Sequence, residues 1–298
     1  MNPRLSVIIP VRNSAPGLRI CLAALQAQSW PAEDFEVIAV DNGSTDDLEA
    51  VRRLFPRVRW LAESAPGSYA ARNCGLRAAV GEIIAFTDAD CLPDPDWLRQ
   101  GAAALADGKT TVAGGEVPWL DPVGRDLNAY EILETIMFGL ATIRQLIGER
   151  GFAITANLFT FRAVFERVGE FDAGLRSAGD REWCLRAVAK GEVLAYAGTA
   201  IVRHPRRSTR GEFFRKQLRL VGGRMALLRR ERPGWRAMLS DLRKVSLLDP
   251  RVYAVAFGDP RAKGLARRIH FIGVALLVSV ATTGEKVRLL LGGEPGRG

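Results

Sequence analysis

Short apolar runs alternating with helix-spaced stretches decide what this chain can fold into. Residues 5–10 (LSVIIP), 35–40 (FEVIAV), 58–61 and 83–86 are each strand-length and apolar. Between the first two, Leu18, Cys21, Leu22 and Leu25 recur at helical spacing behind Ser14, a residue type suited to capping a helix. Residues 48–54 and 68–80 repeat the helical pattern. Strands alternating with helices of this length imply parallel pairing through right-handed crossovers. The expected fold class is therefore α/β, with a mainly parallel sheet flanked by helices.

In an open sheet of this kind ligands bind beyond the carboxyl ends of the strands. Two of the strand ends here are acidic: Asp41-Asn42-Gly43-Ser44 follows the second strand and Asp88-Ala89-Asp90 follows the fourth. Two carboxylates one residue apart, fixed by a buried strand, can converge on a hard divalent cation whose shell a diphosphate would complete. The same acids could instead cap the following helix. Asp41 with its glycine-permitted turn suits hydrogen bonding to a base or a ribose. No G-x-x-x-x-G-K-[ST] loop and no G-x-G-x-x-G turn occurs, which argues against kinases and dinucleotide dehydrogenases.

Further along, the spacing predicts a helix over 94–105, a strand over 111–117 and one amphipathic helix over 127–147 carrying Leu133, Ile136, Met137, Leu140, Ile143 and Ile147. A short helix around Val164, a helix over 180–189 and strands over 193–197 and 201–202 complete a catalytic domain at 1–206. Residues 207–298 form a basic, largely helical extension. Of the formal charge of +9, residues 203–244 hold 14 Lys and Arg against 3 Asp and Glu. These cations are interleaved with apolar side chains, a pattern suited to an anionic membrane surface or to a solvated helix face, and no nucleic-acid recognition module accompanies them. Residues 269–284 are uncharged but shorter than the roughly 20 residues a spanning helix needs. Four scattered cysteines suggest neither a zinc site nor a disulfide framework. With no secretory pattern at the N-terminus, a cytoplasmic protein, peripheral at the inner membrane face, is expected.

Residues 5–13 (LSVIIPVRN), 41–46 (DNGSTD), 67–75 (GSYAARNCG), 86–90 (FTDAD) and 179–186 (GDREWCLR) together resemble the family 2 glycosyltransferases, in order and spacing, over about residues 4–206. The resemblance implies a Rossmann-like GT-A fold and a nucleotide-sugar donor, a UDP-sugar first among them. It further implies that Pro10, Arg12, Asp41 and Ser44 border the base and that Arg72 lies near the phosphates. Asp88 would face the ribose or a metal-bound water, and Asp90 would bind Mn2+ or Mg2+ with His204 as a further ligand. Asp180 would be the catalytic base, and Asn157 would line the acceptor or sugar pocket. Glu182, two residues beyond Asp180 on a helix, points elsewhere and is expected to shape the acceptor site.

These roles add up to an inverting single displacement of one sugar onto a lipid-linked or small acceptor, in envelope glycan or glycolipid synthesis. The Gln-x-x-Arg-Trp signature of processive synthases is not evident: Gln217 is followed by Leu-Arg-Leu-Val. The rival readings are nucleotidyl transfer, for which residues 10–13 supply no phosphate loop, and a non-catalytic carbohydrate-binding or scaffold protein on the same fold.

Overall fold

A computed structural model describes residues 3–138, 142–231, 254, 258 and 264–293. The chain divides into two compact units. The first comprises Met1–Leu120, Ala141–Gly174 and Gly179–Pro205, and the second Asp121–Leu140, Leu175–Ala178 and Arg206–Gly298.

The first unit is built on one sheet. Strands β1 (Leu5–Val11), β2 (Phe35–Asp41), β3 (Arg59–Ala62) and β4 (Ile83–Phe86) pair in parallel in the order β3-β2-β1-β4. Helices α1 (Ala15–Gln26), α2 (Leu48–Leu54) and α3 (Ser68–Ala78) form the crossovers. The apolar runs of β1, β2 and β4 are buried on both faces, with Leu5, Val7, Ile8 and Ile9 fully inside, as a sheet covered on both sides demands, whereas the edge strand β3 is partly exposed. Ser14, expected to cap α1, makes no side-chain cap; the Asp46 carboxylate, brought in by the neighbouring strand end, accepts from Ala15 N at 2.7 Å.

Beyond β4 the sheet departs from simple parallel alternation. After β5 (Leu92–Pro93) and α4 (Trp97–Ala103) come β6 (Val112–Glu116) and β7 (Trp119–Leu120). Strand β8 (Leu158–Phe161) runs antiparallel between β4 and β6, and β9 (Leu194–Pro205) pairs in parallel with β6 and β7 and antiparallel with β5. The two strands expected over 193–202 are this single strand. Its register against β6 jumps from Ala197 opposite Gly115 to Ile201 opposite Glu116, so residues 198–200 bulge out and break the apolar pattern. The unit's remaining helices are α6 (Ile143–Arg150), α7 (Arg162–Val168) and α8 (Gly179–Ala189).

The single helix expected over 127–147 is two. Helix α5 (Ala129–Phe138) belongs to the second unit, and α6 starts afresh at Thr142, whose side chain and Gln145 form a reciprocal capping box. Leu140, one of the six residues assigned to that helix, lies outside the described residues.

In the second unit α5 packs with α9 (Arg210–Glu231) and α10 (Leu265–Leu290). Ile132, Leu133, Phe213, Phe271, Val274, Ala275 and Val278 form its core. Glu131 and Glu134 are also buried, on α5: Arg125 holds the first with two 2.7 Å bonds, and Lys216 and the Arg207 backbone N–H hold the second. Helix α10 is long and apolar enough to cross a membrane by length and composition. Its inward face fills the core just described, while Leu265, Ile269, Leu277 and Val280 are 52 to 75% exposed.

Candidate functional site

Two loops interlock at the carboxyl ends of β1 and β2. Pro10 pairs with Val40 and Val11 with Asp41, so Pro10 and Asp41 sit side by side at the strand ends, with Arg12 exposed immediately beyond. The Asp41 carboxylate accepts from Ser44 N at 2.9 Å, closing the turn that Gly43 permits with its φ of 77°. Ser44 Oγ accepts from Asn13 N, and Asn13 Oδ1 accepts from Thr45 N. The four residues expected to border a base are thus held on one rigid, hydrogen-bonded ledge.

Asn42, which the sequence reading passed over, pins the next piece. Its buried amide donates to the carbonyls of Glu63 and Ala65 and accepts from Gly67 N, fixing the segment that leads into α3. Helix α3 in turn carries Arg72. That guanidinium is almost wholly buried, pairs with Asp88 through Nη2, and lies 5.5 Å from the centre of the Tyr69 ring.

Asp88, Asp90, Cys91 and His204 converge, each offering one ligand atom within 4.8 Å of the others. Asp88 and Asp90 come from the turn after β4, and His204 comes from the end of β9, opposite Trp119 of β7. Helix α1 comes close to this turn at Gly17, where a Cβ would lie 3.1 Å from both the Ala89 carbonyl and the Asp90 Cα, tighter than ordinary contact. His204 Nδ1 lies 2.7 Å from the Pro205 carbonyl, which can only accept, so Nδ1 carries the proton in this contact. Carboxylate oxygens with one imidazole nitrogen fit a divalent cation, and Mn2+ suits the mixed set better than the oxygen-seeking Mg2+. Burial, with the charges of Asp88 and Asp90, pushes the Cys91 thiol well above its usual range.

Asp180 opens α8, where helix N–H groups favour a carboxylate. Its Oδ1 accepts from Arg181 N at 2.9 Å and from the Tyr69 hydroxyl at 3.3 Å, and its Oδ2 accepts from Thr155 N at 3.4 Å. Desolvation raises the carboxyl's pKa, and the Arg181 N–H, the charge of Arg72, the Thr155 N–H and Tyr69 pull it back down. A carboxylate moved up in this way is a better proton acceptor than an exposed aspartate.

The two residues expected on the acceptor side have internal partners. Asn157 is 0% exposed. Its Oδ1 accepts from Trp97 Nε1, and its Nδ2 donates to the carbonyls of Glu116 and Ala200, tying α4, β6 and β9 together. An asparagine one residue before a strand gave no signal of that burial. Glu182 points along α8 to Arg186, which holds it at 2.8 and 3.0 Å and is itself bonded to the Val168 and Glu170 carbonyls.

Comparison with known proteins places this geometry in context. Residues 6–169 match the model of "Glycosyl transferase family 2". The chain is 36% identical over 228 residues to glycosyltransferase AglE of Haloferax volcanii, spanning 75% of this chain and 73% of that one. It is 26% identical over 216 residues to the pre-mycofactocin glycosyltransferase of Mycobacterium tuberculosis, of which it spans 43%. Among solved structures, the mannosyltransferase PcManGT from Pyrobaculum calidifontis, in complex with GDP-Man and Mn2+, superposes with a TM-score of 0.61 at 20% identity, over 96% of this chain and 88% of that one. S. aureus TarS 1-349 in complex with UDP gives 0.53 at 17% identity, over 97% and 90%.

Proposed function

The chain belongs to glycosyl transferase family 2 and is a glycosyltransferase of the GT-A fold, and from that premise we propose that it moves one sugar from a nucleoside diphosphate sugar to an acceptor hydroxyl with inversion. The observation that carries this reading is the convergence of Asp88, Asp90 and His204 within one cluster. Asp41, Ser44, Pro10 and Arg12 receive the base and ribose, and Arg72 adds positive charge next to Asp88. Asp90 and His204 would hold the divalent cation, which when bound shields the charge of the diphosphate as it leaves.

Asp180 takes the proton. Oδ1 already has two donors, whereas Oδ2 has one, so Oδ2 keeps room for the acceptor hydroxyl. As the acceptor O–H bond gives its proton to Oδ2, the oxygen attacks the anomeric carbon from the face opposite the diphosphate. The glycosidic C–O bond to phosphate breaks with its electron pair going to the diphosphate. Most of the rate comes from placing these groups in line.

A UDP-sugar is the first donor to test, and the two solved structures above hold GDP-Man and UDP. The acceptor is a lipid-linked or small molecule presented at the cytoplasmic membrane face, in envelope glycan or glycolipid synthesis. Two features support that location: the Lys and Arg excess over residues 203–244, and the uncharged outward stripe of α10. Together they suit a helix lying in the plane of an anionic surface. The test is turnover of a panel of UDP- and GDP-sugars with Mn2+, alongside Mn2+ binding followed by electron paramagnetic resonance. Asp90→Asn is expected to weaken Mn2+ binding at least tenfold, an order of magnitude typical for loss of one ligand or its support. Unchanged Mn2+ affinity in that variant would remove Asp90 from the metal site.

A further inference from the structure

Tyr69 stands on the first turn of α3, in a stretch where only Arg72 drew attention in the sequence. Its ring is 5% exposed and packs on Phe171 with centroids 5.7 Å apart. A buried phenol hydroxyl needs a hydrogen-bond partner, and Asp180 Oδ1, 3.3 Å away, is the acceptor it has. A Cβ on Gly179, the residue before Asp180, would come within 2.7 Å of the Tyr69 ring, so glycine lets the start of α8 rest on that ring. The Arg72 guanidinium also lies against that ring, 5.5 Å from its centre, while pairing with Asp88. One helix therefore reaches both Asp88 of the cation cluster and the acid at the start of α8.

We infer that Tyr69 is a positioning residue for the base: its hydroxyl occupies Asp180 Oδ1 and so turns Oδ2 toward the acceptor hydroxyl. This rests on Asp180 being the base. The rotation of a carboxylate about its terminal bond is broad and soft, so a lone backbone N–H on each oxygen leaves the group free to rock. A third donor on a rigid ring, itself packed against Gly179, Arg72 and Phe171, narrows that range. The charge that bears on the group is that of Arg72 on α3; Arg181 acts through its backbone N–H, and its helix neighbour Glu182 is paired with Arg186.

The experiment is a four-enzyme comparison of wild type, Tyr69→Phe, Asp180→Asn and the double variant, reading kcat, donor KM, nucleotide binding and the pH profile of kcat. Phenylalanine keeps the ring packing and removes only the hydroxyl. The expected result for Tyr69→Phe is a kcat lowered about tenfold, the rate equivalent of one hydrogen bond to a charged group, with donor KM unchanged. Its acidic limb should move to higher pH, because the ionised carboxylate has lost a donor. In the Asp180→Asn background the same change should have no further effect. A Tyr69→Phe enzyme with wild-type kcat and an unmoved limb overturns the inference, as does one whose loss lies wholly in donor KM. Near-native transfer by Asp180→Asn would instead overturn the assignment of the base, whatever Tyr69→Phe does.

Discussion

In the first unit the acids of the candidate site are Asp88 and Asp90 after β4, partly open to solvent, and Asp180 at the start of α8, hydrogen-bonded by neutral donors. In the second unit Glu131 and Glu134 lie buried on one helix and are matched by cations at 2.6 to 2.7 Å. The two arrangements use the same residue type for opposite ends. An acid matched by a direct counter-charge holds a fold together. An acid that is desolvated and hydrogen-bonded by neutral donors, as Asp180 is, costs stability and gains a proton affinity that chemistry can use.

The largest effect that would sharpen this contrast is in the second unit. Glu134→Gln leaves the Lys216 ammonium, whose pKa burial already depresses, without its counter-charge. The expected loss is about 3 kcal/mol in a denaturant titration, as when one partner of a buried pair is removed, with nucleotide affinity of the folded protein unchanged. A loss below about 0.5 kcal/mol, the range of ordinary surface changes, would show that this pair holds nothing together.

Next comes the opposite response from the first unit, where Asp180→Asn should raise stability at neutral pH. The folded carboxyl binds its proton above the ordinary value of 3.8, so between 3.8 and the raised value the native state holds a proton that the unfolded chain has released. Stability then falls as pH rises through that window, and the full cost is in force above it. The melting temperature of Asp180→Asn should exceed that of the wild type at pH 7 and converge with it toward pH 3. A variant that melts lower at pH 7 would place Asp180 with the structural acids.

The smallest expected change concerns the outward stripe of α10. Ile269→Gln with Val280→Gln should lower partitioning onto phosphatidylserine-containing vesicles about tenfold, as expected when two apolar side chains no longer enter the interface. Stability should stay within about 0.5 kcal/mol, because both side chains face outward. Equal vesicle binding by the two proteins would sever the stripe from the membrane.

What could be read from the sequence follows the same division. The strands β1, β2 and β4 declare themselves because both faces are buried and their runs are uninterrupted, and the acids after β2 and β4 stand out because polarity changes abruptly there. The convergence of His204 with Asp88 and Asp90 depends on β9 returning to the sheet 114 positions after Asp90, which no local pattern encodes. The three internal partners of Asn157 could not be read from the sequence, because a buried amide looks the same there as one lining a pocket. The break between α5 and α6 was within reach: Thr142 followed three residues later by Gln145 is a capping-box signature, overridden by the apolar period running through it. Gly17 and Gly179 carry no chemistry of their own, and only the distances around them show how closely α1 approaches the turn after β4 and α8 approaches Tyr69.

The most direct test of Asp180 as the base within this strand-end site is single-turnover transfer by Asp180→Asn, measured beside nucleotide binding. Loss of a general base typically costs 10²- to 10⁴-fold, so transfer should fall by about a thousandfold while the affinity for the nucleotide with Mn2+ stays within about twofold of wild type. Transfer at a near-native rate would contradict the account.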